Sequence, residues 1–400
     1  MDTTIQAKKS PVALLIFQCI MKFVHLHVHS HYSLLDGLPK PAELVAKAKE
    51  LGMDAVALTD NGSMYGIIEF YKHAKKQGIK PIIGAELYVA PRRMQDKQAG
   101  IDDKRFHLTL LAETNAGYKN LIKLVTAANL EGFYYKPRVD KETLATHHEG
   151  IIALSGCLSG EIPRAIAGQN FEHAEELIRV YKEIFGPEHF YLELAHHPNI
   201  KLQDAVNKKL IEYAERFGLE LVATCDVHYL NKDDAKAQDT LMAVQTGAKL
   251  GEGDRLSLAQ SDFSFKSTEE MYATFPYPKS ALANTQAIAD RCAVDIELGK
   301  IQLPHFDVPH GETQDSYLRK LCMEYMPNRY KEATQEVLDR LDYELSVIIT
   351  TGFASYFLIV QDFVNWAKSH GVVVGPWRGS AAGSIVSYIL NITNVDPIKY

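Results

Sequence analysis

The sequence predicts an α/β protein: a seven-stranded βα barrel followed by a mostly helical region. Three observations carry that prediction. Between Phe23 and Tyr229, short β-rich apolar runs alternate with amphipathic helical stretches, the pattern of repeated βα units around a parallel sheet or barrel. The runs number seven, which favours a closed barrel over an open sheet: Phe23 to His27, Ala55 to Thr59, Pro81 to Val89, Phe106 to Ala112, Ile151 to Leu154, Phe190 to Leu194 and Leu221 to Thr224. After Tyr229 the strand signal fades and helical periodicity dominates.

The helical stretches carry their own start and stop signals. Pro41 to Leu51 has proline near its first turn, and Ile67 to Gln77 is closed by Gly78. Beyond Tyr229, a helix is expected from Asp233 to Gln245, and Ser267-Thr268-Glu269-Glu270 reads as a capping box opening another. A third section begins near Gly311, with helices about Gln314 to Tyr325, Lys331 to Thr350 and Tyr356 to Ser369. A buried strand, Val372 to Val374, then leads to a glycine-rich segment and a helix from Ser380 to Leu390. The expected organisation is an extension at residues 1–20, a barrel domain at 21–285, and a linker with a further domain at 286–400.

Composition narrows the classes. With 46% hydrophobic and 23% charged residues, the 400-residue chain can bury real cores, and disordered or fibrous classes drop away. The 43 Lys and Arg against 50 Asp and Glu leave a net charge of −7, so any nucleic-acid contact must be local. Five widely spaced cysteines form no CxxC pair, which suits a reducing cytoplasm and gives no zinc-knuckle signal. Lys8-Lys9 followed by Pro11 to Ile20 imitates a signal peptide, but no small-residue cleavage site follows. Met21 therefore reads as a start, with residues 1–20 as a disordered extension. No apolar run approaches the length of a membrane span, so the expected location is the cytoplasm, without a membrane partner.

The 16 histidines direct attention to chemistry. In His25-Leu26-His27-Val28-His29-Ser30-His31, alternate histidines share one face of an extended segment, since strand side chains repeat every two residues. Two imidazoles so placed can share a cation. The other expected strands bring further donors: Asp60 and Asn61, Glu86, His107, Cys157, and then Asp226 and His228. Taken singly, each has a structural reading: His107 as a core histidine, Cys157 as a small hydrophobe, Asp60 as a helix cap. In a βα barrel, however, the C-terminal strand ends converge on one face, where active sites are built. Carboxylates between histidines there suit two or three zinc or manganese ions, which activate water for phosphoester hydrolysis.

The string HVHSHYSLLDG (His27 to Gly37), followed in order by LTDNG, GAELY, FHLTLL, LSGC and CDVHY, resembles the polymerase and histidinol phosphatase (PHP) domain. With EGFYYKPR and the GFASYFLIVQDFVNWA to GPWRGSAAGS stretch, nearly the whole chain from Met21 resembles the N-terminal region of the bacterial C-family replicative DNA polymerases. The resemblance implies a distorted seven-stranded PHP barrel with a trinuclear site, followed by the start of a polymerase palm. Matched residue by residue, it places ligands on His27, His29, Asp36, Glu86, His107, Cys157, Asp226 and His228. The family's TDHG motif reads Thr59-Asp60-Asn61-Gly62, so Asn61 stands where a histidine is usual, and an amide oxygen is a poor zinc ligand. His25, His31 and His197 are further candidates for supporting or surface roles.

The resemblance also assigns the glycine-rich segment. By residue chemistry alone the segment reads either as a structural glycine-rich turn or as an anion site at a helix N-terminus, to which Arg378 adds a fixed charge; the resemblance puts Gly379 and Ser380 in the place of the palm motif that contacts the incoming nucleotide's phosphates. Trp377 departs from the usual glycine, and its ring would crowd the turn or stack on a base. No paired-aspartate motif precedes Tyr400, so the carboxylates that hold magnesium for polymerisation are expected downstream. Implied activities are DNA-directed DNA polymerisation by the full-length protein and metal-dependent 3′–5′ exonuclease or phosphoesterase chemistry by the PHP domain. The alternative is a catalytically weak PHP scaffold that stabilises the polymerase. Implied partners are primer-template DNA, dNTPs, a proofreading exonuclease subunit and a sliding clamp.

Overall fold

The computed structural model describes residues 22–251, 255–300, 302–377 and 379–400; the expected extension at 1–20 lies outside them. The chain divides into two compact units between Ile296 and Glu297. No single helix among the described residues is long and apolar enough to cross a membrane.

The first unit is built on a curled sheet. Its elements begin with α1 (Pro41–Glu50), β1 (Ala55–Leu58), α2 (Ile67–Gln77), β2 (Lys80–Val89), β3 (Phe106–Ala112) and α3 (Asn115–Leu130). A small hairpin, β4 (Phe133–Tyr134) and β5 (Lys136–Val139), then leads to α4 (Lys141–Thr146) and β6 (Ile151–Leu154). After these come α5 (Glu161–Ala167), α6 (Phe171–Phe185), β7 (Phe190–Ala195), α7 (Lys201–Phe217) and β8 (Glu220–Thr224). Helices α8 (Ala235–Thr246), α9 (Thr268–Thr274) and α10 (Ser280–Arg291) complete the unit. Proline opens α1, Gly78 closes α2 at φ +75°, and Ser267 and Glu270 form the expected capping box on α9.

The strand order β4-β5-β2-β3-β6-β7-β8, with β1 on β2, departs from an all-parallel barrel at one stave. β3 runs antiparallel to both β2 and β6. The physical reason is the connection: residues 90–105 contain no helix to carry the chain back across the sheet, as a parallel crossover requires. Instead this loop is pinned by the fully buried Arg138, whose guanidinium donates to the carbonyls of Met94, Asp96, Asp102 and Gly132.

The expected first strand, Phe23 to His27, is extended but not a regular strand. Ala57 N–H donates to His25 O and Thr59 N–H to Val28 O on one side; on the other, Val227 N–H donates to His27 O and His29 N–H to Val227 O. The ladder is interrupted because Val28 N–H donates to the Thr59 hydroxyl at 2.8 Å. This segment nonetheless joins β1 to the residues after β8 and closes the ring of seven staves foreseen from the sequence. Two core clusters lie against the sheet, one including Val56, Ile83, Leu110, Ile178, Leu192 and Ala223, the other Leu26, Ala57, Ile82 and Leu154.

The second unit is helical: α11 (Gln314–Arg329), α12 (Gln335–Thr350), α13 (Ala354–Ser369) and the short α14 (Ile385–Ile389), packed around Leu318, Leu341, Leu345, Leu358 and Ile385. Two expectations fail here. Val372 to Val374 is no buried strand: Val373 is 96% exposed and no strand pairs with it among the described residues. The helix expected at Ser380 to Leu390 is split into a 3₁₀ turn, Gly379–Gly383, and α14, because the hydroxyl of Ser384 caps a new helix start by accepting from Ser387 N–H.

Candidate metal centre

The histidine run and the end of β8 are brought together by the backbone bonds around Val227 that close the ring. His27 and His29, two residues apart, project to one side, alternating with the buried Leu26 and Val28. Asp226 faces them from a left-handed backbone conformation, φ +49°. Such strain in a residue with a side chain is characteristic of functional positions. Glu86, in β2, enters from the stave beyond β1, and His107, near the start of the adjacent β3, sits beside it.

Three groups of donors result. In the first, Asp226 Oδ1 lies 3.3 Å from His27 Nε2 and 3.1 Å from His29 Nε2. In the second, Glu86 Oε2 lies 2.9 Å from His107 Nδ1, which is 3.9 Å from Cys157 Sγ. In the third, Asp36 Oδ1 lies 3.4 Å from His228 Nε2. Two carboxylates tie the groups together: Glu86 Oε1 is 3.1 Å from His27 Nε2, and Asp226 Oδ1 is 3.6 Å from His228 Nδ1. The first two groups can each gather donor atoms around a single ion.

The donor set fits a cation on chemical grounds. His27 Nδ1 lies 2.7 Å from Glu193 Oε1, which places its proton there in the neutral tautomer and leaves Nε2 a lone pair. That lone pair faces two carboxylate oxygens, and neither His27 Nε2 nor Glu86 Oε1 has a hydrogen-bond partner among the described residues although both are buried. Acceptors facing acceptors in a buried site require a proton or a metal between them. In the metal-free protein the proton serves. Burial opposes the charge, but Asp226, Glu193 and Glu86 hold His27 well above the usual imidazole range. Burial likewise opposes charge at His228, yet Asp36 and Asp226 push it up to about 9. Burial would raise the Asp226 carboxyl, but His27 and His228 hold it well below the ordinary range. Burial, reinforced by Asp226 and Glu86, pushes the Cys157 thiol well up.

The remaining candidates separate clearly. Asp60 is saturated away from the cluster, accepting from Ser30 N–H, Ser30 Oγ and Ser33 Oγ at 2.7, 2.8 and 2.7 Å. Asn61 donates its amide to Asp36 Oδ2 at 2.7 Å, while its buried Oδ1 has no partner among the described residues. His197 is buried with both ring nitrogens unpartnered, stacked on Phe263 at 4.1 Å, and burial lowers its pKa to about 4. It lines, with Asp36, Asn61, Glu86 and Asp226, a cavity of about 650 Å³. His25 lies 2.9 Å from Lys266 O and packs on Phe265, and His31 packs on Tyr32; neither joins the cluster.

Glu193 is the residue sequence reasoning missed. Its Oε1 also accepts from Thr224 Oγ1 at 2.7 Å, and its Oε2 from Gly156 N–H at 3.1 Å. Gly156, at φ +82°, has no room for a side chain there. The available signal was a single carboxylate within the otherwise apolar FYLELA, a strand buried throughout. A carboxylate that orients a metal-bound imidazole contributes about 10- to 100-fold to metal affinity. Glu193→Gln is therefore expected to weaken metal binding by about that factor in a chelator competition, while far-ultraviolet circular dichroism stays native. An unaltered affinity would show that His27 needs no such brace.

In the second unit, Arg378 lies outside the described residues. Gly379 holds φ +50°, and Ser380 is exposed in the 3₁₀ turn. The N-terminus of α14 is already filled: Ile385 N–H and Val386 N–H donate to the Glu344 carboxylate at 3.1 and 3.3 Å, and Ser384 Oγ donates to it at 2.8 Å.

Residues 25–197 match the PHP domain and residues 316–400 match the bacterial DNA polymerase III alpha NTPase domain. The chain is 47% identical over 384 residues to the DNA polymerase III subunit alpha of Borreliella burgdorferi, covering 95% of this chain and 33% of that protein. It is 39% identical to that of Thermus aquaticus, covering 95% and 36%. Among solved structures, a putative metal-dependent phosphoesterase from Bifidobacterium adolescentis aligns at 14% identity and a TM-score of 0.32, over 63% of this chain and 95% of that one. The chain spans about a third of the length of the curated relatives it matches, and over that third its homologues are bacterial DNA polymerase III alpha subunits, with the match to the PHP domain leading into the match to the alpha NTPase domain.

Proposed function

We propose that the first unit is a metal-dependent phosphoesterase acting as a 3′–5′ exonuclease, within the N-terminal part of a DNA-directed DNA polymerase whose substrates are primer-template DNA and dNTPs. The observation that carries this is the convergence of His27 Nε2 on Asp226 and Glu86, with imidazoles and a thiol around them and with neither His27 Nε2 nor Glu86 Oε1 given a hydrogen-bond partner among the described residues. The ligand assignment is His27, His29, Asp36, Glu86, His107, Cys157, Asp226 and His228, with zinc or manganese as the ions; the thiol and imidazoles favour zinc. When bound, such ions supply Lewis-acid activation and charge neutralisation for phosphoester hydrolysis.

The chain's own residues do the rest. Glu193 fixes the tautomer and angle of His27. Glu86 and Asp226 hold neighbouring groups at a common spacing, and Asn61 aims the Asp36 carboxylate. His197, uncharged at neutral pH, offers an unpartnered imidazole to a substrate in the cavity. In the second unit, Arg378, Gly379 and Ser380 are assigned to the triphosphate of an incoming dNTP; the exposed turn with its left-handed glycine supports this, whereas the α14 amides are taken by Glu344.

Asn61 favours a second reading, in which the PHP unit stabilises the polymerase and docks a proofreading subunit without hydrolysing DNA. Elemental analysis after mild purification, with digestion of 3′-labelled single-stranded DNA in zinc or manganese, decides between them. The expected result is at least two ions per chain and chelator-sensitive digestion. Metal without digestion supports the scaffold reading. Fewer than one ion per chain, not restored by added zinc or manganese, overturns the metal assignment.

A further inference from the structure

The cavity over the acidic donors has a wall of opposite charge. Lys104, Arg105, Lys136 and Arg164 line it, from three separate segments: the loop before β3, the strand β5 and the helix α5. None of the four lies within ion-pair distance of a carboxylate among the described residues, whereas nearby cations are paired: Arg92 with Asp102, Arg93 with Asp96 and Lys141 with Glu161. Arg105 and Lys136 both lie over the Tyr88 ring, at 5.8 and 5.9 Å from its centroid, and Tyr88 meets His107 edge-on at 5.2 Å. The two cations thus stand one aromatic ring away from the candidate ligands. The backbone beside them is anchored, because the buried Arg138, two residues after Lys136, bonds the carbonyls of the loop that carries Arg105.

Unpaired cations held close together repel one another, and the arrangement is stabilised by anions between them. We propose that Arg105 and Lys136, with Lys104 and Arg164, are positioning residues that hold successive phosphates of a single-stranded DNA end while its terminal phosphodiester sits at the donor cluster. This rests on the phosphoesterase reading above and names which residues select its substrate. Four cations spread over three segments exceed what one terminal monophosphate can neutralise and suit a backbone of several phosphates. Tyr135, next to Lys136, supports the same class of ligand. It is 68% exposed, holds φ +60° and meets the Tyr134 ring at a tilt of 54° with the centroids 4.6 Å apart, and an exposed aromatic ring of this kind can stack on a base.

Fluorescence anisotropy with a 5′-labelled oligothymidylate, in chelator and again in manganese, tests this on the full chain, alongside hydrolysis of the oligonucleotide and of bis(p-nitrophenyl) phosphate. Arg105→Gln and Lys136→Gln are each expected to raise the oligonucleotide Kd about 5- to 10-fold at low salt and to flatten the log Kd against log salt slope by about 0.7. Their loss of hydrolysis should be at least fivefold greater for the oligonucleotide than for the small diester, and should appear mainly in KM. Lys119→Gln, on α3 away from the cavity lining, sets the background for removing one charge. Binding and slope no different from those of Lys119→Gln overturn the wall, even if both substrates are hydrolysed. Weakened binding in a protein that hydrolyses neither substrate supports the wall and overturns the phosphoesterase reading instead.

Discussion

Replacing Asp226 by asparagine is expected to weaken metal binding by about 100-fold or more, at or beyond the top of the range for residues that merely orient ligands. The carboxylate is the link between His27, His29 and His228, so its loss touches two donor groups at once. Asparagine is nearly isosteric and tolerates the left-handed backbone at φ +49°, so the variant should fold. With metal at about 1,000 times the wild-type Kd, wild-type protein gains about 4.1 kcal/mol and a 100-fold weaker variant about 2.7 kcal/mol less. That difference corresponds to roughly 5–10 °C in Tm. Scanning calorimetry with and without zinc or manganese measures it, and equal metal-induced shifts in the two proteins would remove Asp226 from the ligand set.

The same site makes metal binding pH-dependent. Asp36 and Asp226 push His228 up to about 9 against the opposing effect of burial, and His27 is also held above its ordinary value. Both carry protons at pH 7 that a metal must displace, so binding releases protons and tightens as pH rises toward 9. The metal-free fold behaves oppositely. The raised His228 pKa contributes stability fully present below pH 6.5 and lost as pH rises through about 9. Calorimetric titration in buffers of different ionisation enthalpy counts the released protons.

Asn61→His is expected to add metal, raising the stoichiometry toward one further ion per chain and strengthening that position by ~3 kcal/mol, a single ligand's share of the ~10–16 kcal/mol of a full zinc site. Asn61 now donates to Asp36 at 2.7 Å and buries an unpartnered oxygen. An imidazole there keeps a donor for Asp36 in one tautomer or presents a lone pair beside His228 in the other, and the adjoining cavity can take its larger ring. Exonuclease activity should rise with occupancy. If neither changes, the missing histidine does not limit the site; if occupancy rises and activity does not, the scaffold reading gains.

Much of the barrel was legible because strand and helix periodicities are local properties. Ile67–Gln77 was readable to the residue from its apolar spacing and Gly78, and the two-residue spacing of His27 and His29 placed both on one face. The reversed stave was not, because the direction of β3 depends on how a helix-free loop is anchored by Arg138, a residue 33 positions beyond that loop's last residue. Val372 to Val374 looked like a strand by composition, but a strand exists only where a partner ladder does, and none pairs with it among the described residues.

The donor types and their order along the chain, and so which residues could ligate, were set by the sequence alone; that Asn61 stands in a histidine's place is what the family resemblance implies. Tertiary structure alone decided their roles. Asp60 was a candidate by position, yet three donors from Ser30 and Ser33 turn it into a brace. Glu193 carried no motif, yet its carboxylate sets the tautomer of His27 across 166 residues of chain. Hydrogen bonds and charge act over a few ångströms of space, and the distance between two side chains in space follows from how the sheet curls, not from their separation in sequence.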